Sequence, residues 1–152
     1  MEQSIREGFG LADRDVREIS SLSLAFLGDS VYELVVRTLL VERAGDRPKV
    51  LSQKKSRLVR AQTQAAMADS LREENLLTEE ELAVYRRGRN ANPSTTARHA
   101  SLSDYHKATG FESLMGYLYL AGREERLVEL VRLGLQYVDE ERGERHAERR
   151  TD

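Results

Sequence analysis

Two acids stand nearly alone in the two most apolar stretches of the chain. Asp29 lies near the middle of LSLAFLGDSVYELVVRTLL, residues 22–40, and Glu112 lies in GFESLMGYLYLA, residues 110–121. An ionised carboxylate on an apolar helix costs on the order of several kcal/mol unless a partner compensates it. Oxygen-only ligation suits a hard cation such as Mg2+, typically held by one or two carboxylates together with waters and substrate phosphates. If the two acids meet, the chemistry they offer is metal-assisted phosphodiester hydrolysis, with neighbouring cations gripping the nucleic-acid backbone. The competing reading is structural, because single acids in apolar helices are more often salt-bridged or cap-bonded. Glu33 and Arg37 follow Asp29 at four-residue intervals. Glu33 is therefore either a supporting ligand or the partner of Arg37, and the spacing slightly favours the partner.

The elements that must position these acids read as helices. Leu24, Phe26, Leu27, Val31, Leu34, Val35 and Leu39 recur at spacings of three and four, the pattern of a helix with a wide apolar face. Ser21 or Ser23 is its expected cap. A second, basic helix is expected from Pro48 to Glu74, with proline in its first turn. Thr78 followed by Glu79, Glu80 and Glu81 is a capping-box start for a third, expected to end near Arg86 to Gly88. The stretch 89–100, RNANPSTTARHA, has loop composition and is long for a passive connection. A helix from Ser101 or Ser103 to Ala121, stopped by Gly122, carries Glu112. A last amphipathic helix is expected from Glu124 to about Arg142.

Composition supports an all-α reading. The chain has 152 residues, 33% of them charged, with two prolines, ten glycines and few aromatics, which fits one helical domain better than a sandwich or barrel. Residues 1–20 read as a polar lead-in and 139–152 as a charged, frayed tail, with the helical domain over 21–138. Without cysteine there is neither a disulfide framework nor a thiolate metal site. No run reaches membrane-span length and the N-terminus is too polar for a signal peptide, so a soluble, cytoplasmic protein is expected. His99 and His106 are too few and too separated for a zinc site, and are expected on the surface or in a loop.

Net charge is only -2, against a binder that works by bulk positive charge. The distribution is uneven. Residues 43–60 carry Arg43, Arg47, Lys49, Lys54, Lys55, Arg57 and Arg60 against Asp46, and residues 86–107 carry Arg86, Arg87, Arg89, Arg98 and Lys107 against Asp104. Between them, residues 69–84 hold six acids against Arg72. Two basic zones thus flank an acidic stretch.

The segment Phe26-Leu27-Gly28-Asp29-Ser30-Val31 resembles the signature of the ribonuclease III family, and Phe111-Glu112-Ser113-Leu114-Met115-Gly116 resembles its second acidic segment. Thr109-Gly110-Phe111-Glu112, the Arg86-Arg87-Gly88-Arg89-Asn90-Ala91 run and the AQTQA stretch at 61–65 are similar to the short subfamily, the mini-ribonucleases III. The resemblance covers about residues 20 to 136. It implies a ribonuclease III endonuclease-domain helical bundle that forms a homodimer and cleaves double-stranded RNA with Mg2+, Asp29 and Glu112 falling on the catalytic, metal-binding acids. It further implies precursor ribosomal RNA of the large subunit (23S) as substrate, a ribosomal protein as possible partner, and no separate double-stranded-RNA-binding domain. The chain departs from full-length ribonuclease III at Ala25 and Thr109, where that family carries acids, so half the usual cluster is missing.

Lys54, Lys55, Arg57, Arg86, Arg87 and Arg89 are either solvated faces or RNA contacts. With the nuclease reading, Arg86 to Asn90 are the better RNA candidates, since A-form RNA is read through phosphates and 2'-hydroxyls. Tyr117 and Tyr119 are expected in the core or a dimer contact. Two rival functions remain open: a catalytically silent helical dimer that binds structured RNA, and a protein-interaction module with no RNA role.

Overall fold

The structure, a computed structural model, describes residues 1–45, 47–91 and 101–151. They form seven α-helices and a short 3-10 turn: α1 (Glu2–Gly8), the turn Val16–Glu18, α2 (Ser21–Ala44), α3 (Pro48–Val59), α4 (Ala61–Glu73), α5 (Glu79–Ala91), α6 (Leu102–Leu120) and α7 (Glu124–Thr151). No strand occurs among the described residues. None of their helices is long and apolar enough to cross a membrane.

The helix around which the rest packs is α6. It lies against α2, α4, α5 and α7, and from Ala108 to Leu118 every residue but Glu112 is buried. The longer of the two apolar stretches, on α2, is not the centre of the packing. That helix packs on α6 along one side, through Leu24, Val31, Tyr32 and Val36, but leaves Phe26 85% exposed and Leu22, Leu34 and Val41 also at the surface. Phe26 and Leu34 therefore do not belong to the core, whereas Tyr32 does. Its ring meets Phe111 edge-on at 5.3 Å, a geometry that adds to the ~1.5–3 kcal/mol from burying each such side chain.

Two glycines set how closely α2 and α6 cross. A Cβ on Gly28 would lie 1.7 Å from the Glu112 carbonyl oxygen, and one on Gly116 would lie 2.0 Å from the Leu24 carbonyl oxygen. Each glycine lets the opposite backbone into the space a side chain would fill. Ser113, fully buried, ties the same crossing: its hydroxyl sits 2.8 Å from the Ser21 carbonyl oxygen and 2.9 Å from that of Thr109.

Helix ends follow local chemistry, with some shifts. Ser20, not Ser21 or Ser23, caps α2 by accepting from the Ser23 amide. The expected single basic helix is two, broken at Arg60, whose ψ of 155 is extended. Side chains hold the break: the Thr63 hydroxyl donates to the Arg57 carbonyl, the Gln64 amide to Val59, and the Tyr32 hydroxyl to Leu58. They satisfy the carbonyls that a helix end leaves open. The Thr78/Glu81 capping box forms in both directions, and α5 runs on to Ala91. Residues 92–100 of the expected loop, with Arg98 and His99, lie outside the described residues. Gly122, with φ of 71, stops the chain after α6. Two features were not expected: α1, and the continuation of α7 past Arg142 to Thr151.

Candidate active site

Asp29 stands on α2 one residue beyond Gly28, and Glu112 stands on α6 where α6 touches Gly28. The close backbone approach therefore brings the two acids together from positions far apart in sequence. Glu112 is half-buried and Asp29 is exposed, so the cost of a carboxylate on an apolar helix falls on Glu112 and not on Asp29. Asp29 sits where the packed side of α2 gives way to its open side. Burial first, and then the charge of Asp29 and a hydrogen bond between the two side chains, push the Glu112 carboxyl up to about 8. A carboxylic acid with so high a value has been deprived of water and set against a like charge. Such a pair is strained at neutral pH unless it shares a proton or holds a cation.

No third acid or histidine joins them: among the described residues there is no group of three or more metal-ligating side chains. At the two positions where the resembled family carries further acids, Ala25 is buried and the Thr109 hydroxyl donates to the Tyr105 carbonyl within its own helix. Glu33 is also engaged. Its carboxylate lies 3.3 Å from Arg37 Nε and 3.7 Å from Lys55 Nζ. The Arg37 partnership read from spacing is present, and Lys55 on α3 is a second partner that spacing could not show.

The other sequence candidates fall on two faces. Lys54 and Arg57 are exposed on α3, beside the half-buried Lys55. On α5, Gly88 faces α6 because a Cβ there would lie 2.4 Å from Ser113 Oγ. The helix period then turns Arg86, Arg87 and Asn90 outward, and all three are exposed. Arg89 is half-buried over the ring of Tyr85. His106 is not a surface residue as expected: it is half-buried, with its Nδ1 enclosed and unpartnered. Tyr117 is buried as expected, and its hydroxyl donates to Glu80.

Sequence reasoning missed the ion pair that locks α5 to α7. Glu81 is fully buried and accepts from Arg126 Nε and Nη2 at 2.9 and 2.8 Å, while Arg126 also donates to the Leu76 carbonyl. Glu81 was legible as a capping residue, but nothing in the spacing pointed to Arg126.

The Ribonuclease III domain family matches residues 22–123. Mini-ribonuclease 3 of Enterococcus faecalis is 42% identical over 127 residues, covering 84% of this chain and 96% of that protein. Mini-ribonuclease 3 of Symbiobacterium thermophilum is 44% identical over 118 residues, covering 78% and 89%. A crystal structure of a Fusobacterium nucleatum protein superposes with a TM-score of 0.72 at 28% identity, over 82% of this chain and 98% of that one. The all-α architecture accords with these likenesses.

Proposed function

Since the chain belongs to the ribonuclease III family, and within it to the mini-ribonucleases III, it is an endoribonuclease, and we propose that it cuts double-stranded RNA with Mg2+ held by Asp29 and Glu112. The observation that carries this reading is the convergence of those two side chains at the α2–α6 crossing, with Glu112 pushed up to about 8. The donor set fits a hard divalent cation: two carboxylates, oxygen only, whose mutual repulsion a cation relieves. When bound, such an ion polarises the phosphoryl oxygen and makes water a better nucleophile.

The protein's own groups do the rest. Asp29, exposed, meets solvent and substrate, while Glu112 behind it is shielded. Glu33 keeps Arg37 and Lys55 beside the site rather than ligating. The exposed cations Lys54, Arg57, Arg86 and Arg87, with Arg89 and Asn90, contact phosphates and 2'-hydroxyls. Residues 21–138 form the catalytic unit. Two copies associate through the open side of α2, where Leu22, Phe26, Leu34 and Val41 leave apolar surface without cover. The substrate is the precursor of large-subunit ribosomal RNA in the cytoplasm, and a ribosomal protein on that precursor adds affinity.

Digestion of a long RNA duplex tests the proposal. Wild type cuts with Mg2+ and not with chelator, while Asp29→Asn and Glu112→Gln bind duplex but fail to cut. Binding without cutting by the wild type would instead support the silent RNA-binding dimer.

A further inference from the structure

Tyr85 is 1% exposed, and its hydroxyl has no hydrogen-bond partner among the described residues. A buried hydroxyl left unpaired is a cost, so the residue is not held there by its polar atom. What the structure uses is the ring. The guanidinium carbons of Arg72 and Arg89 lie over it, 5.3 and 5.7 Å from its centroid. The ring itself is fixed against α6 at Gly110, where a Cβ would come within 2.9 Å of Tyr85 Cε2 and 2.7 Å of its carbonyl oxygen.

The two cations differ in what else they touch. Arg72 is paired to Asp69 at 3.2 Å, and the other oxygen of Asp69 takes Lys107 at 2.9 Å, which ties α4 to α6. Arg89 has no ion pair among the described residues. Among the described residues its Nε reaches only the Asn90 side-chain oxygen at 3.4 Å, long for a hydrogen bond. A cation–π contact of this kind engages the charge of the guanidinium without giving its N–H groups an oxygen acceptor. A guanidinium held against a ring, with no acid paired to it among the described residues, suits recognition of a phosphate. Arg86 and Arg87, exposed on the same helix, bring charge without that fixed orientation.

We infer that Tyr85 is a positioning residue for Arg89: its ring, anchored against α6 at Gly110, holds the guanidinium as a preoriented fork for one phosphate of a duplex-RNA backbone. This rests on the reading of the chain as an enzyme that acts on double-stranded RNA. Because Arg89 loses little freedom on binding, it contributes more affinity than a free surface arginine. As a grip on the backbone rather than a group acting in the cutting step, Arg89 affects KM and not kcat.

The test compares KM and kcat on a long RNA duplex, at fixed salt, for wild type and variants of both residues. Arg89→Ala should raise KM about five- to tenfold with kcat within about twofold, and lower the salt slope of binding by about one. Tyr85→Phe keeps the ring and removes the unpaired hydroxyl, so it should match wild type in KM without lowering Tm. Tyr85→Leu should raise KM nearly as far as Arg89→Ala, and the double variant should be no worse than Arg89→Ala alone. Arg89→Lys keeps the charge but not the planar fork, and should raise KM about threefold or more.

A folded Tyr85→Leu with wild-type KM, or effects that multiply in the double variant, would overturn the inference. If Tyr85→Leu does not fold, Arg89→Lys decides, and a wild-type KM there overturns it. Wild-type protein that neither cuts nor binds duplex RNA removes the functional reading and this inference together. Normal cutting with silent Tyr85 and Arg89 variants removes the inference alone.

Discussion

Gly28 of α2 and Glu112 of α6 touch backbone to backbone, so that a methyl group at Gly28 would lie 1.7 Å from the Glu112 carbonyl oxygen. The contact fixes more than packing, because the adjacent residue on α2 is Asp29. Whatever separates the two helices also separates the two acids.

Gly28→Ala therefore tests site and fold at once. Alanine in a helix would by itself favour folding by about 1 kcal/mol, but here the backbones must move apart. The expected result is a net loss of at least about 2 kcal/mol in unfolding free energy and loss of cutting. Gly8→Ala, where a Cβ meets nothing within 4 Å, is the control without a clash and should leave cutting unchanged and stability equal to wild type or up to about 1 kcal/mol higher. Denaturant unfolding with a cleavage assay reads the two variants side by side.

The raised Glu112 value makes a signed prediction for pH. Its carboxyl titrates near 8 in the folded chain against an ordinary 4.5, pushed by burial and then by Asp29. Folding thus favours the protonated form. In chelator, the cost of this group to stability grows as pH rises through the window from 4.5 to about 8 and levels off above it. Glu112→Gln should melt higher than wild type at about pH 8 and gain little near pH 5. Mg2+ should raise the wild-type Tm more at about pH 8 than at about pH 6, since it competes with the proton. Equal melting of wild type and Glu112→Gln across this range would count against the pairing.

Glu33 separates a ligand from a neighbour. Because its carboxylate is already shared by Arg37 and Lys55, Glu33→Gln should keep activity within about fivefold and stability within about 1 kcal/mol. A loss approaching that of Glu112→Gln in the duplex digest would make it a ligand after all.

Glu81 and Arg126 carry the fold, away from the site. Burial raises the Glu81 carboxyl, but hydrogen bonds and charge from Arg126 and the Thr78 amide outweigh it and hold it below 4.5. A depressed acid stabilises above its unfolded value and loses that contribution as pH falls through the folded one. Arg126→Met, which leaves Glu81 buried and unpaired, should cost about 3–5 kcal/mol near pH 7. The gap to wild type should be narrower at a pH well below the ordinary 4.5, where Glu81 takes a proton. Urea titrations at both pH values measure it.

Phe26 tests the association of two copies. At 85% exposure it contributes little to its own chain's core, so Phe26→Asp should leave the helical spectrum intact. On the proposed dimer it should halve the mass seen by sedimentation. A variant that sediments as wild type does would move the contact elsewhere.

Much of the molecule was legible in its one-dimensional pattern. Apolar residues at spacings of three and four gave the helices, Thr78 with Glu81 gave a start that formed as expected, and Gly122 gave a stop. These signals act within a turn or two of chain, where local sterics and hydrogen bonds decide. The break at Arg60 escaped because it is held by Tyr32, from another helix, as well as by Thr63 and Gln64. The exposure of Phe26 escaped for a related reason: periodicity finds an apolar face without saying what covers it.

The sequence by itself determined that two acids sit in apolar helices beside glycines, that basic residues cluster on either side of an acidic stretch, and that the chain is helical. Only the tertiary structure decided that Asp29 and Glu112 meet, that Glu33 is taken by Lys55 as well as Arg37, and that Arg89 lies on Tyr85. The reason is one of range. Helix formation is set by neighbours along the chain, whereas the pairing of residues 29 and 112 depends on two backbones approaching through Gly28 and Gly116, a distance that packing of the whole core fixes.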